Sequence, residues 1–159
     1  MLYLIPAPLH RLALRLGYRL RKQFWKMARP DVAGIAVLLR DAEERLLLVR
    51  HSYGPRAWAL PGGGMGARED PAQAARREIR EELRCELVEL QVLHAIDEDL
   101  SGAHHTAHVF TARTVSEPCA DGRELLEARW FTVEELASVT VTRVTHRRLH
   151  MLGFYSKDS

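Results

Sequence analysis

The chain has 159 residues, 47% of them apolar and 28% charged, which suffices for one ordinary core and leaves no room for a second enzyme domain. Its two cysteines, Cys85 and Cys119, form neither a CxxC pair nor a disulfide framework, so they read as reduced thiols of a cytoplasmic protein. The net charge of +2 conceals an asymmetry: residues 1–29 hold seven Lys/Arg and no Asp/Glu, while residues 30–159 carry sixteen against twenty-one, a balance of −5. The sequence therefore divides into a basic segment, 1–29, and a globular domain, 30–159.

In the first segment Leu9, Leu12, Ala13, Leu16, Leu20, Phe24 and Met27 recur at helical spacing, and Arg11, Arg15, Arg19, Lys22 and Lys26 form a stripe beside them. This predicts a basic amphipathic helix. Charge interrupts it too often for a bilayer span, and it lacks the apolar run of a secretory signal, so it is expected to stay with the protein. Its apolar face needs a cover. Three are open: the domain itself, a sister subunit in a homodimer, or peripheral contact with an anionic membrane. Nucleic acid is not favoured as a partner.

Arg29, Pro30 and Asp31 stop that helix, and the Val/Ile/Leu-rich runs 32–39 and 45–51 read as strands around a polar turn at 41–44. A loop at 52–56 and a short strand at 58–60 lead into Pro61, Gly62, Gly63 and Gly64, where glycines allow close backbone approach. Asp70 suits a helix cap and Pro71 a first helical turn, so a helix starts near residue 71. Residues 86–97 and 108–114 read as further strands joined by a loop at 100–106, and another strand ends at 129–131. Thr132 and Glu135 have capping-box spacing for a helix through Leu136, and a last helix is predicted over 142–152. The pattern is α/β, although periodicity alone equally allows an α+β binding domain.

On the helix that starts near 71, Ala72, Ala75, Ile79 and Leu83 form the apolar stripe, and Glu78, Glu81 and Glu82 converge on another face. Like charges at this spacing cost roughly 0.2–0.5 kcal/mol per pair, near the negative end of the helix dipole. The residues alone leave two readings: a solvated acidic face paired with Arg76, Arg77, Arg80 and Arg84, or a site for a hard divalent cation completed by phosphates.

Residues 63–85 resemble the signature of the Nudix hydrolase family. Gly63, Glu69, Arg77, Glu78, Ile79, Glu81 and Glu82 fall in its register, with Arg84 where the family has Gly and Cys85 where it has an aliphatic residue. Arg84 is expected to shift the end of the helix without disturbing the glutamates. The resemblance extends over about residues 31–138 and implies a mixed β-sheet sandwiched between helices. It also implies hydrolysis, dependent on Mg²⁺ or Mn²⁺, of a pyrophosphate linkage in a nucleoside diphosphate derivative or related small phosphoanhydride. By the same similarity Glu78, Glu81 and Glu82 are the catalytic and metal-binding residues, and the Gly62 carbonyl and Glu124 are further ligands, with Glu127 the competitor for the last place. Gly63, Glu69 and Arg77 then support the site, and the proton acceptor is left open among the glutamates. The alternative is a Nudix-like module that binds a nucleotide or RNA without turnover. It is disfavoured because a pure binder has no physical need for all three glutamates.

For the substrate, Arg50 and Arg56 near the glycine turn offer donors matched to phosphate oxygens. Trp58, Tyr53 and Trp130 are either stacking platforms or core residues. Asp97, Glu98 and Asp99 lie either near the metal or in solvent. His104, His105 and His108 lack the Cys or carboxylate framework of a zinc site, and phosphate contact is their other functional reading. The sequence shows no Ser-His-Asp or Cys-His pattern, and the glycine turn lacks the Gly-Lys-Ser/Thr ending of a nucleotide-binding P-loop.

Overall fold

The computed structural model describes residues 7–28, 32–66, 68–100 and 103–155. After helix α1 (Ala7–Ala28) come strands β1 (Val32–Arg40) and β2 (Leu46–His51), helix α2 (Pro71–Leu83), and strands β3 (Leu87–Leu100), β4 (Ala103–Thr114) and β5 (Leu125–Phe131). Helices α3 (Val133–Leu136) and α4 (Arg143–Met151) close the chain. The five strands form one sheet in the order β3-β4-β1-β2-β5, with β1 and β4 parallel and the other pairs antiparallel.

The sheet is central because its middle strands are apolar on both sides, the pattern of a strand covered twice. Ile35, Val37, Leu39, Leu47 and Val49 point to one face, where Ala74, Ala75, Ile79 and Leu83 of α2 pack against them. Ala36, Leu38, Leu46 and Leu48 point to the other, under Leu136 of α3 and Leu149 of α4. Burial of a side chain such as Ile79 contributes about 1.5–3 kcal/mol. This is the expected mixed sheet between helices.

Local signals place the helix starts as read from the sequence. The Asp70 side chain accepts from Gln73 N at 3.0 Å ahead of Pro71, and Thr132 and Glu135 make the reciprocal capping box at α3. Two expectations are corrected. Residues 100–106 are not a long loop, because β3 and β4 pair from Leu87↔Thr114 through to Leu100↔Ala103, placing His104 and His105 in a strand. Nor does Arg84 shift the end of α2. It sits at φ 56°, ψ 29°, the left-handed conformation that glycine adopts at low cost, and its N–H donates to Arg80 O. The helix keeps its length, and the side chain bears a strain of about 1–2 kcal/mol. Arg84→Gly is therefore expected to raise stability by about 1 kcal/mol, seen as a higher urea midpoint at unchanged slope.

Candidate active site

The glycine turn is fixed to β1 by two backbone bonds, Val37 N to Pro61 O and Ile35 N to Gly63 O, both 2.9 Å. Gly62 lies between these anchored carbonyls at φ 149°, and a Cβ there would sit 2.2 Å from Ile35 O. At Gly63 a Cβ would come within 2.5 Å of Glu78 Oε2. Only glycine lets the turn close onto the Glu78 carboxylate, which is why a Gly-rich stretch precedes this helix.

Arg77 ties the loop to the helix. Its Nε and Nη2 donate to the two oxygens of Glu69 at 2.8 and 2.9 Å, its Nη2 also reaches Gly64 O, and its Nη1 donates to Glu78 Oε1 at 2.8 Å. Glu69 in turn accepts from Gly66 N at 2.8 Å. The Arg77 hydrogen bonds, then that from Gly66, lower the Glu69 carboxyl from its ordinary 4.5 to about 2. A carboxylate with a lowered folded-state pKa contributes stability above its unfolded value and loses it as pH falls through the folded one. The thermal midpoints of the protein and its Glu69→Gln variant should thus differ above pH 4.5 and converge as pH falls toward about 2, with the gap narrowing in high salt.

Glu82 is 4% exposed at the inner edge of the acidic face, and its Oε2 has no hydrogen-bond partner. Burial first, and then the charges of Glu78, Glu124, Asp121 and Glu81, hold its pKa well above the ordinary value. Glu78 is raised as well, by burial, against the lowering effect of Arg77 and with Glu81 and Glu124 adding to the rise. Glu81 stands at the outer, exposed side, with Arg77 Nη1 at 3.4 Å.

The chain brings Glu124 to this group through the segment after β4. Cys119 N donates to Leu83 O and Asp121 N to Glu82 O, at 2.8 and 2.9 Å, so this segment satisfies the open carbonyls at the end of α2. Asp121 then builds the next turn by accepting from the N–H groups of Arg123, Glu124 and Leu125. Glu127, the competing residue, instead pairs with Arg50 on the exposed side of β2 and β5. Asp121 is not among the site residues expected from the sequence. Its only signal was the Asp-Gly turn at 121–122, and its proximity to Glu82 arises from the end of α2.

The proposed substrate residues are less gathered. The Arg50 guanidinium lies over the Trp58 ring at 5.0 Å, and Trp58 packs edge-on against Phe131 in the core beneath α3 and α4. Arg56 is exposed in the loop before Trp58. Trp130 packs against the α2 side and donates its Nε1–H to Glu117, so it reads as core. Tyr53 lies against His51. His105 and Glu98 belong to neither a zinc site nor the acidic group: with Arg148 they form a buried ion cluster on the α4 side of the sheet.

Among the described residues no group of three or more His, Cys, Asp or Glu side chains is disposed to hold a metal ion. The donor set nevertheless fits a hard divalent cation. It is all oxygen, it lies against the glycine turn, and it includes a buried carboxylate oxygen without a partner. Mg²⁺ keeps several waters and is completed by substrate phosphates, so a partial protein shell suits it.

The architecture is thus a mixed-sheet sandwich with a glycine turn and an acidic helix in one wall. The chain belongs to the Nudix family, and the NUDIX domain model matches residues 30–152. It is 33% identical over 101 residues to diphosphoinositol polyphosphate phosphohydrolase 3-alpha of Homo sapiens, covering 62% of each chain. It is 36% identical over 101 residues to diphosphoinositol polyphosphate phosphohydrolase 2 of Homo sapiens, covering 62% of this chain and 56% of that one. The chain thus spans 56–62% of the length of these relatives. Among solved structures, the MutT NUDIX hydrolase from Burkholderia pseudomallei superposes with a TM-score of 0.67 at 27% identity, covering 76% of this chain and 96% of that one. The MutT protein from Methanosarcina mazei Go1 shares the fold with a TM-score of 0.67 at 22% identity, over 78% and 93% of the two chains.

Proposed function

We propose that this protein is a divalent-metal-dependent pyrophosphohydrolase that cleaves the P–O–P linkage of a nucleoside diphosphate derivative or a related small phosphoanhydride. The observation that carries the reading is the buried, unpartnered Glu82 carboxylate oxygen amid the charges of Glu78, Glu81, Asp121 and Glu124. So costly an arrangement persists when a cation offsets it. Mg²⁺ or Mn²⁺ would be held by Glu78, Glu81, Glu82 and Glu124, with the Gly62 carbonyl as a further ligand. When bound, the ion polarises phosphoryl oxygens and lowers the pKa of the attacking water.

The chain's own contribution is placement. Gly63 and Arg77 fix the Glu78 carboxylate, α2 fixes Glu81 and Glu82, and the carbonyls of Leu83 and Glu82 hold the segment that delivers Glu124. Water attacks one phosphorus, the bond from that phosphorus to the bridging oxygen breaks, and a carboxylate of the group takes the water's proton. Two phosphate-bearing products leave.

The test is product release from a panel of nucleoside diphosphate derivatives, nucleoside triphosphates and a diphosphoinositol polyphosphate, the last being the substrate class in the names of the relatives. Release from at least one member with Mg²⁺, and its loss with chelator, is the expected result. Ligand binding without turnover of any member would replace the reading with that of a binding module.

A further inference from the structure

Helix α1 meets the domain with an unexpected side. Arg11 donates from Nε and Nη2 to Gly122 O, the Nε contact at 3.1 Å, and Arg15 Nε donates to Ser52 O at 3.0 Å. His10 and Leu14 are half-buried on the same side, where α1 runs alongside β4. The leucines the amphipathic pattern would place inside point away: Leu9, Leu12, Leu16 and Leu20 are 52–70% exposed. Their spacing of three and four residues lines them up along one outer face, so the domain does not cover the stripe.

We infer that this outward face of α1 docks on an anionic lipid surface, lying in the plane of the headgroups. Charge chooses the occupant. Residues 1–29 carry seven cations and no anion; Arg11 and Arg15 are turned to the domain, and Arg19, Lys22 and Lys26 continue the basic row that runs beside the leucine stripe in the sequence. Stripe-to-stripe pairing of two copies would set these like-charged rows against each other, whereas an anionic headgroup layer complements them. The remainder of the chain, at −5, is repelled by such a surface, so attraction is confined to this helix. No helix among the described residues is long and apolar enough to cross a bilayer, which fits a helix that lies on one. The Arg11 contact holds Gly122 and the Arg15 contact holds Ser52, whose N–H donates to Glu124 O at 2.8 Å. The docked helix therefore sets the Glu124 side of the acidic group near the lipid.

The test is flotation of the full chain with phosphatidylcholine vesicles, with and without phosphatidylglycerol, at low and high NaCl, together with sedimentation of the lipid-free protein. The expected result is binding only to the anionic vesicles, weakened by salt, and a lipid-free monomer. Leu12→Glu/Leu16→Glu, both on the outer face, should lower partition at least about tenfold while the thermal midpoint holds. The salt and lipid dependence of the unaltered protein decides the matter should that variant not fold. Absence of binding to either vesicle, equal binding to both, or a lipid-free dimer that the double variant dissociates would overturn the inference.

Discussion

Glu82→Gln is expected to lower turnover by roughly 10²–10⁴-fold and, in metal-free protein, to raise stability. The two effects have one cause. At neutral pH the wild-type side chain places an ionisable carboxyl in a 4%-exposed position, with one oxygen unpartnered and four acidic neighbours around it. The amide keeps the shape and removes the acid, which at neutral pH is costly in the folded state either as a buried carboxylate or through the proton it must take up, so the folded state should gain about 1 kcal/mol, or about 2–4 °C in midpoint. A residue retained for packing would give the opposite sign, with the amide neutral or destabilising and turnover kept. Thermal unfolding in chelator, beside product release in Mg²⁺, reads both.

The second large effect lies away from the acidic group. Glu98 has a side chain only 1% exposed, reached by Arg148 from α4 and by His105 from the adjacent strand, whose Nδ1 lies 3.3 Å away. Burial alone would raise the Glu98 pKa, and the close approach of His105 with the Arg148 charge outweighs it, leaving the group below its ordinary value. Removing one partner strands the other charge in the core. Glu98→Ala and Arg148→Ala should each cost about 3–5 kcal/mol, or roughly 6–20 °C in midpoint. Glu98→Leu/Arg148→Met, which removes both charges, should cost less than the sum of the single changes, because no orphaned charge remains. Single variants that lose under about 1 kcal/mol would show that the cluster is solvated in solution.

The contrast between these two acidic groups marks where sequence reading succeeds. The helix bearing Glu78, Glu81 and Glu82 is legible because its information is local: Asp70 and Pro71 start it, the i, i+4 stripe of Ala75, Ile79 and Leu83 orients it, and the glutamates fall on the other face. The central strands are legible because apolar runs covered on both faces leave no competing pattern. Glu98 and His105 are opaque for the opposite reason. Glu98 lies in an acidic run at a strand end and His105 in the polar stretch 100–106 that argues for a loop, and only strand pairing with a partner on α4 reveals a buried cluster. Tertiary contact overrides local propensity there.

Two other misreadings share that origin. Arg84 was expected to move the helix end, yet the carbonyls of Leu83 and Glu82 are held by Cys119 and Asp121, so the chain turns where it does and Arg84 bears the left-handed geometry. For α1, periodicity predicts an apolar stripe and a basic row but does not say which side meets the domain. The carbonyls of Ser52 and Gly122 select the arginines, and those carbonyls come from loops distant in sequence.

The claim that a divalent cation sits among Glu78, Glu81, Glu82 and Glu124 is tested most directly by calorimetric titration of Mn²⁺ into the wild-type protein and into Glu82→Gln and Glu124→Gln. Saturable binding by the wild type, weakened at least about tenfold by Glu82→Gln and less by Glu124→Gln, is the predicted result. Equal Mn²⁺ affinity in all three proteins, or no binding by a wild type that still turns over substrate in Mg²⁺, would contradict it.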